Sequence, residues 1–152
     1  MDAKLINAFL TEGLNTFESM FGIKATNKEP HILNVTSGHP WEISGLLGIT
    51  GKSKGVVAFR LHKTLANKML ELSGLECTKE NYEEMSISLV SEFTNVIAGH
   101  AVSVVQDMDL DISPPFCVMG HNHEIAWPKN YPVIAIPFVT QQGPFEVDVC
   151  FK

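Results

Sequence analysis

The chain has 152 residues, of which 45% are hydrophobic and 18% are charged, so it is long enough to fold as one domain without a disulfide or structural metal. Its 17 acidic residues outnumber its 11 basic ones, the formal net charge is −6, and Arg60 is the only arginine; this balance argues against a nucleic-acid partner. The three cysteines lack a CxxC spacing, and neither a leader-like N-terminus nor an apolar run of about 20 residues is present, so we expect a reduced, cytoplasmic protein with no membrane partner.

The first half of the chain predicts a helix followed by a hairpin. Apolar residues at spacings of three and four predict an amphipathic helix over residues 3–21, which Asp2 can cap and Gly22 can end. Two apolar segments, residues 41–50 and 55–61, are separated by a short Gly, Lys and Ser stretch. They predict a β-hairpin.

Two further helices follow the hairpin. Residues 63–72 predict a short helix that Gly74 can close. Helical periodicity then runs from residue 82 to about residue 107, and Asn81 with Glu84 three positions later has the spacing of a capping box at its start.

The last third of the chain predicts strands. The pair Pro114-Pro115 excludes helix at that point. Residues 116–125, 133–140 and 145–151 predict three strands, and residues 141–144 predict the turn between the last two.

This order of elements favours an α+β fold, with long helices packed on a largely antiparallel sheet. A helix followed by strands occurs twice, so we expect a single domain, 1–152, with a weak internal repeat: two α-plus-three-strand units, at about 1–75 and 76–152. A doubly wound nucleotide-binding fold is disfavoured because no Gly-rich phosphate loop is present.

One narrow side of the long helix is polar but almost uncharged. At about 100° per residue, six positions fall within about 80° of one another, and no Lys or Arg occurs between residues 84 and 105. Gly99 lies in the middle of this helix, where glycine costs about 0.8 to 1 kcal/mol of helix stability relative to alanine. A glycine at such a position is explained if another molecule approaches the helix closely there. The pattern fits a docking or catalytic face, or alternatively a solvated one. The six residues, called here the polar stripe, are Ser88, Glu92, Asn95, Gly99, Ser103 and Gln106.

Glu92 and Asn95 are three residues apart, so their side chains project side by side. A carboxylate accepts hydrogen bonds or pairs with a cation, whereas an amide donates and accepts at once and can hold a water molecule in one orientation. Nothing beside them supplies a metal or an activated nucleophile. The pair therefore suits the positioning of a water molecule in a reaction whose other catalytic groups are supplied by the substrate.

These residues carry a family resemblance. The run from Ser88 to Gly99 resembles the (D/S)xxxExxN motif, followed by Ala-Gly, of the CheC/CheX/FliY chemotaxis phosphatases. Asp111-Ile112-Ser113-Pro114-Pro115 resembles the proline-bearing stretch that follows this helix in the family, although its spacing from Asn95 is slightly shorter than usual. The resemblance covers nearly the whole chain and is closest to the CheX branch.

The resemblance implies a CheC-like fold and hydrolysis of the aspartyl phosphate of a phosphorylated CheY-type response regulator. It assigns Glu92 to a lysine of the regulator and Asn95 to orienting the attacking water. Ser88 and Gly99 would shape the docking surface. The enzyme would carry no cofactor of its own, since the regulator would bring both the phosphoaspartate and Mg²⁺. A non-catalytic module that docks a receiver domain is the alternative that remains open.

A second ExxN pair, Glu12 and Asn15, lies on the first predicted helix. CheC-type members of the family can carry two sites. This pair lacks the flanking Ser and Gly of the main motif, so it is either a second site or a solvated face.

Histidines offer two competing interpretations. His121 and His123 are two apart on a predicted strand and could face a metal together, although no third ligand is evident and an exposed pair is the alternative. His100 follows Gly99 and could make docking depend on pH, or could be an ordinary surface histidine.

The last strand, residues 145–151, alternates in character, with Glu146 and Asp148 opposite its apolar residues, which predicts a half-buried strand. Pro137 predicts an edge or a bulge in the preceding strand. An apolar edge strand could pair with a second copy, and CheX-like proteins form dimers by joining sheets, so we expect a homodimer.

Overall fold

In the computed structural model, residues 3–151 are described, and within them three α-helices cover one face of an eight-stranded antiparallel sheet. The helices are α1 (Ala3–Phe21), α2 (Lys63–Leu72) and α3 (Tyr82–Val104). The strands are β1 (Ala25–Asn27), β2 (His31–Ile32), β3 (Ile43–Gly51), β4 (Gly55–Leu61), β5 (Leu110–Ile112), β6 (Phe116–Met119), β7 (Val133–Thr140) and β8 (Gly143–Phe151). The expected α+β class is confirmed.

The elements with strong local periodicity lie where the sequence predicts them. α1 and α2 have the predicted bounds, and β3 with β4 forms the predicted hairpin. α1 ends because Gly22 adopts a positive φ of 67° and donates its N–H to the carbonyl oxygen of Glu18 at 2.8 Å. The predicted cap Asp2 lies outside the described residues.

The start of α3 differs from the predicted capping box. The Asn81 side chain makes no cap hydrogen bond. Its Oδ1 instead accepts the N–H of Thr78 at 2.7 Å, because the turn that precedes the helix competes for the same oxygen. Glu83 and Glu84 occupy the first turn, where their negative charges interact favourably with the helix dipole and stabilise the helix. α3 also ends three residues before the predicted limit, and a short 3₁₀ turn, Gln106–Met108, follows it.

The sheet has the order β1-β7-β8-β4-β3-β5, with β2 also paired to β7 and β6 also paired to β3. Each half of the chain thus runs as a long helix, two short strands and a hairpin. The short strands of each half pair with the hairpin of the other half. This exchange joins the two halves into one sheet.

The proline-bearing stretch interrupts one edge of the sheet. β5 and β6 both pair with β3, and Ser113, Pro114 and Pro115 lie between them. Since proline has no N–H to donate, Ser113 closes the gap: its N–H donates to the Gly48 carbonyl at 2.8 Å, and its hydroxyl accepts the Gly48 N–H at 2.7 Å. These bonds fix the loop beside α3.

Pro137 predicts either an edge or a bulge at residues 133–139, and the first of these alternatives, an edge strand, is wrong. β7 has β8 on one side and both β1 and β2 on the other. Pro137 is accommodated opposite the break between those two short strands, where its carbonyl accepts the N–H of Lys28 at 2.9 Å. The missing proline N–H therefore leaves no gap in a ladder.

The strand predicted over residues 116–125 is too long. β6 ends at Met119, and both Gly120 and Asn122 have positive φ, of 123° and 63°. Such values break a strand. His121 and His123 therefore lie on a turn rather than on one face of a strand.

The main core lies between the helices and the sheet. Phenylalanine rings dominate its centre, where Phe93 of α3 lies 4.7 Å from Phe59 and 5.6 Å from Phe17, measured between ring centroids. By length and composition alone α3 could cross a membrane. Its apolar side nevertheless packs into this core, with Val90, Phe93 and others fully buried.

The opposite face of the sheet is also covered, which corrects the prediction of a half-buried last strand. The alternation along β8 is present, but Glu146 and Asp148 are buried together with Arg60 and Ser44. Two segments, residues 33–42 and 120–132, lie over them. They are tied together by hydrogen bonds such as Gly120 N–H to the Glu42 carbonyl, at 2.9 Å. We call this pair of segments the cover.

Candidate functional site

The polar stripe faces away from the core; five of its six residues lie on α3, and Gln106 lies in the 3₁₀ turn that follows. Ser88 and Glu92 are exposed, and Asn95 and Gly99 are half-buried. The opposite side of the helix supplies buried residues to the core, among them Leu89, Val90, Phe93 and Ile97. The predicted stripe is therefore a surface presented by a helix that the core holds in place.

A close contact between α3 and β3 sets the depth of the helix. Gly45 of β3 lies under Thr94, and a Cβ atom on Gly45 would overlap the Thr94 hydroxyl and crowd Val90. Thr94 donates its hydroxyl hydrogen back to the Val90 carbonyl at 2.7 Å, so a buried polar group is satisfied within the helix. Glu92 and Asn95 are carried by the same two turns.

Glu92 and Asn95 are available for an external partner. Within residues 3–151 neither side chain makes a hydrogen bond or an ion pair. One carboxylate acceptor and one amide with both donor and acceptor capacity thus project side by side into solvent.

Gly99 is open to approach by another molecule. Among the described residues, and apart from the backbone of α3 itself, a Cβ atom at this position would meet only Ile112 Cδ1, at 3.9 Å, an ordinary van der Waals distance. Packing inside this chain therefore does not require glycine here. Ile112 belongs to β5, so the stripe is bordered on this side by the edge that carries the prolines.

On its other side the stripe is bordered by α1. His100 Nδ1 lies 3.6 Å from Glu12 Oε2 and 3.3 Å from Thr16 Oγ1. The Glu12 side chain retains only 19% exposure, whereas Asn15 is exposed. The two ExxN pairs thus differ, because Glu12 is held by α3 and Glu92 is unpaired. The sequence analysis treats His100 and Glu12 as separate candidates, and the structure shows that they are in contact. The contact could not be predicted, because hydrophobic periodicity reports only on residues close together in the sequence.

The charges around the stripe are mainly acidic. Asp109 and Asp111 are exposed near its C-terminal end, and Lys4 pairs with Asp107 at 3.2 Å. Together with Glu92 they give a surface that attracts a cationic group on a partner.

The histidines proposed for a metal are separated by their contacts. His123 uses both ring nitrogens, with Nδ1 at 2.8 Å from the Gly120 carbonyl and Nε2 at 2.7 Å from Ser44 Oγ. His121 instead faces Glu42, at 3.7 Å. No group of three or more His, Cys, Asp or Glu side chains suited to a metal occurs in the part of the chain that is described.

Cys117 and Cys150 are poor candidates for a catalytic nucleophile. Burial raises the pKa of Cys117 to about 11 and also raises the pKa of Cys150. At neutral pH both remain thiols, which are weak nucleophiles compared with thiolates.

A comparison with protein-family models identifies the family of this chain. The model of the family described as Chemotaxis phosphatase CheX matches residues 43–139, more than half of the chain, including Glu92 and Asn95. The chain belongs to the CheX family. The resemblance inferred from the motif on α3 is confirmed.

Proteins of known name or structure are similar to this chain over nearly its full length. CheY-P phosphatase CheX of Thermotoga maritima is 26% identical over 141 residues, which cover 88% of this chain and 85% of that protein. The crystal structure of a CheC-like superfamily protein from Shewanella sp. PV-4 is 28% identical, with a TM-score of 0.86 over 100% of this chain and 99% of that chain. The expected CheC-like fold is confirmed.

A structure of a complex shares the fold as well. A chain of the CheX-CheY-BeF3-Mg²⁺ complex from Borrelia burgdorferi matches with a TM-score of 0.81 at 22% identity, over 97% of each chain. At that identity the likeness concerns the fold.

Proposed function

We propose that this protein hydrolyses the aspartyl phosphate of a phosphorylated CheY-type response regulator in the cytoplasm. The observation that carries the proposal is the pair Glu92 and Asn95, which lie side by side on a helix face without Lys or Arg and have no hydrogen-bond or ion-pair partner among the described residues. Membership of a phosphatase family and the name of the Thermotoga maritima relative support it.

The two side chains have different roles. Glu92 pairs with a lysine of the regulator and orients the docked complex, since a carboxylate on a rim steers a cationic group. Asn95 reaches the phosphoryl group, accepts a hydrogen bond from a water molecule with its carbonyl oxygen and places that water in line with the phosphorus. Catalysis of phosphoryl transfer consists mainly of such positioning and of charge stabilisation.

The regulator supplies the remaining parts of the site. Mg²⁺ bound by the regulator would neutralise charge on the phosphoryl oxygens, as the composition of the Borrelia burgdorferi complex suggests. This chain contributes the shape of the contact. Ser88 lies one turn before Glu92, and Gly99 one turn after Asn95, so both extend the docking surface along the helix axis.

The decisive experiment follows the decay of a phosphorylated CheY-type receiver domain, with Mg²⁺, in the presence of catalytic amounts of native or variant protein. Asn95→Ala should lower the stimulated rate by on the order of 100-fold or more, because water positioning is lost. Glu92→Ala should chiefly raise KM, by at least about tenfold, because a docking ion pair is lost.

Two other asparagines on α1 provide controls. Asn7→Ala replaces an exposed asparagine and should leave the rate unchanged. Asn15→Ala tests the second ExxN pair, and we expect most of the activity to remain because Glu12 is engaged with His100. Full activity in Asn95→Ala would contradict the mechanism. Binding of the receiver without faster decay, in the native protein, would instead favour the docking module.

A further inference from the structure

Two carboxyl groups and one guanidinium are buried together under the cover, on the face of the sheet opposite the three helices. Glu146 and Asp148 are two residues apart on β8, so their side chains emerge on the same face. Arg60 lies directly opposite Glu146 on β4 and joins them on that face. The exposed fraction is 3% for Arg60, 8% for Glu146 and 0% for Asp148. The three groups therefore interact with one another rather than with solvent.

The surroundings of Asp148 offer its carboxyl group little support. Its neighbours on the two adjacent strands are Ala58 of β4 and Ala135 of β7, which are fully buried and have no polar side chain. Arg60 Nη1 lies 3.6 Å from Asp148 Oδ2, beyond the roughly 2.7 to 3.2 Å of an N–H···O hydrogen bond. Both Asp148 oxygens and Glu146 Oε2 are buried without a hydrogen-bond partner among the described residues.

One proton held between the two carboxyl groups removes this deficit. Two ionised carboxylates only accept hydrogen bonds, so they cannot pair with each other, whereas a protonated carboxyl group donates one. Two buried carboxylates also repel each other, and a single guanidinium balances the charge of only one of them. In agreement with this geometry, burial, and next the adjacent Glu146 carboxylate, raise the pKa of Asp148 well above its usual range.

A chain of hydrogen bonds connects this cluster to the cover. Arg60 Nε donates to Ser44 Oγ at 3.1 Å, and Ser44 Oγ lies 2.7 Å from His123 Nε2. His123 Nδ1 lies 2.8 Å from the Gly120 carbonyl oxygen, which can only accept, so Nδ1 carries a hydrogen and Nε2 of the neutral ring accepts from Ser44. A protonated ring would instead place a second positive charge beside Arg60 and leave the Ser44 hydroxyl hydrogen without an acceptor.

The other titratable groups on this face supply no second positive charge. His39 Nδ1 accepts the Trp41 N–H at 3.1 Å, so its ring is neutral as well. Glu124 lines the cavity of about 580 Å³ under the cover and can add only negative charge. Burial raises the pKa of Cys150, the next residue of β8 on this face, which keeps its thiol neutral. Loss of the shared proton would therefore leave an uncompensated negative charge under the cover.

We propose that Glu146 and Asp148 share one proton at neutral pH and that this proton acts as a pH-sensitive latch on the cover. While the proton is present, the cluster is uncharged overall and the chain of hydrogen bonds holds the cover against the sheet. When the proton is lost at higher pH, the buried negative charge has no counterion, so the cover loosens and admits water to the cavity. The latch lies on the other face of the sheet from Glu92 and Asn95, and it does not depend on the proposed function.

Carboxyl ¹³C signals of the labelled native protein test the protonation directly. At pH 7 the signals of Glu146 and Asp148, identified from their loss in Glu146→Gln and Asp148→Asn, should together report one bound proton. Exposed Asp111 gives the reference for an ionised aspartate in the same spectrum. Two ionised signals at pH 7 would overturn the proposal, and this result does not depend on the stability of any variant.

Acrylamide quenching of tryptophan fluorescence tests the latch, since both tryptophans of the chain, Trp41 and Trp127, line the cavity. Acrylamide is uncharged, so the charge of the cluster does not itself change its access. As the pH is raised from 7 to 10, we expect the quenching constant of the native protein to rise at least about twofold as the cover opens locally. In Asp148→Asn the amide donates to Glu146 but cannot ionise, so the constant should stay at its value at pH 7.

Asp111→Asn, which replaces an exposed aspartate, is the matched control and should respond to pH as the native protein does. Equal responses of the native protein and Asp148→Asn would contradict the latch.

Thermal unfolding distinguishes the shared proton from an ordinary ion pair between Arg60 and Asp148. A proton that the folded chain holds and the unfolded chain releases lowers stability at any pH above the unfolded pKa of Asp148, about 3.9. Asp148→Asn keeps the hydrogen bond without needing the proton, so its thermal midpoint at pH 8 should equal or exceed that of the native protein. A lower midpoint, as the loss of a buried ion pair would produce, would refute the shared proton.

Discussion

At the scale of single residues, two glycines show how the same residue type serves the fold in one place and leaves a surface open in another. Gly45 is required by the approach of α3, since any Cβ there meets the Thr94 hydroxyl. Gly99 is in mid-helix and half-buried, and apart from its own helix backbone the described residues place only Ile112 Cδ1 within 4 Å of a Cβ atom built there. A cost in helix stability without an internal reason points to an external contact.

Gly99→Ala should therefore separate stability from activity. We expect the free energy of unfolding to rise by up to about 1 kcal/mol, because alanine is the better helix former and its methyl group has room. Phosphatase stimulation should fall, because the methyl group obstructs the regulator. Denaturant unfolding and receiver dephosphorylation measure the two effects. A variant that is more stable and fully active would remove Gly99 from the docking surface.

Gly45→Ala should have the opposite effect on stability. The added methyl group would push α3 away from β3, and overpacking of this kind costs about 1 to 3 kcal/mol. Denaturant unfolding measures the loss. Gly38→Ala, at an exposed position where a Cβ meets nothing within 4 Å, is the control. Equal stability of the two variants would show that the helix can move at no cost.

At the scale of elements, the cover depends on contacts between loops rather than on a helix or strand. His39, in the first segment, contacts the second: one of its ring nitrogens contacts the carbonyl of His123, and the other accepts the Trp41 N–H within the first segment. Burial lowers the pKa of His39 below its ordinary value of 6.5. The cover is thus built around a neutral histidine.

Stability should therefore fall as the pH is lowered. Below pH 6.5 the unfolded chain binds a proton at His39 more readily than the folded chain does, so the contribution of His39 is full above that pH and is lost as the pH falls through the lower folded value. We expect the free energy of unfolding to depend less on pH, between 6.5 and 5, in His39→Gln than in the native protein. His31→Gln, at an exposed position, should keep the native slope; equal slopes in all three would contradict the assignment.

At the scale of the whole molecule, the two edges of the sheet decide how a second copy can pair. The edge formed by β5 and β6 is interrupted by Pro114 and Pro115, which have no N–H to offer. The other edge is formed by β1 and β2, where Ile32 is 70% exposed. An apolar residue on a short edge strand makes this the better surface for self-association.

The predicted homodimer should therefore depend on Ile32. Sedimentation equilibrium of the native protein should give twice the chain mass of 16.8 kDa, and Ile32→Lys should give the single mass because an edge lysine opposes strand pairing. Leu72→Lys, on the exposed side of α2, should stay dimeric. A native protein that is monomeric at tens of micromolar would refute the prediction.

The sequence by itself determined α1, α2, both hairpins and the polar stripe of α3, because each depends on periodicity within a short segment. It also indicated Glu92 and Asn95, whose spacing alone places them side by side. Only the tertiary structure decided that β7 is flanked on both sides and that Glu12 is held by His100. It also decided that Glu146 and Asp148 are buried under the cover. Those outcomes depend on which distant segments meet across the sheet, and contacts of that range leave no periodic signal in the chain.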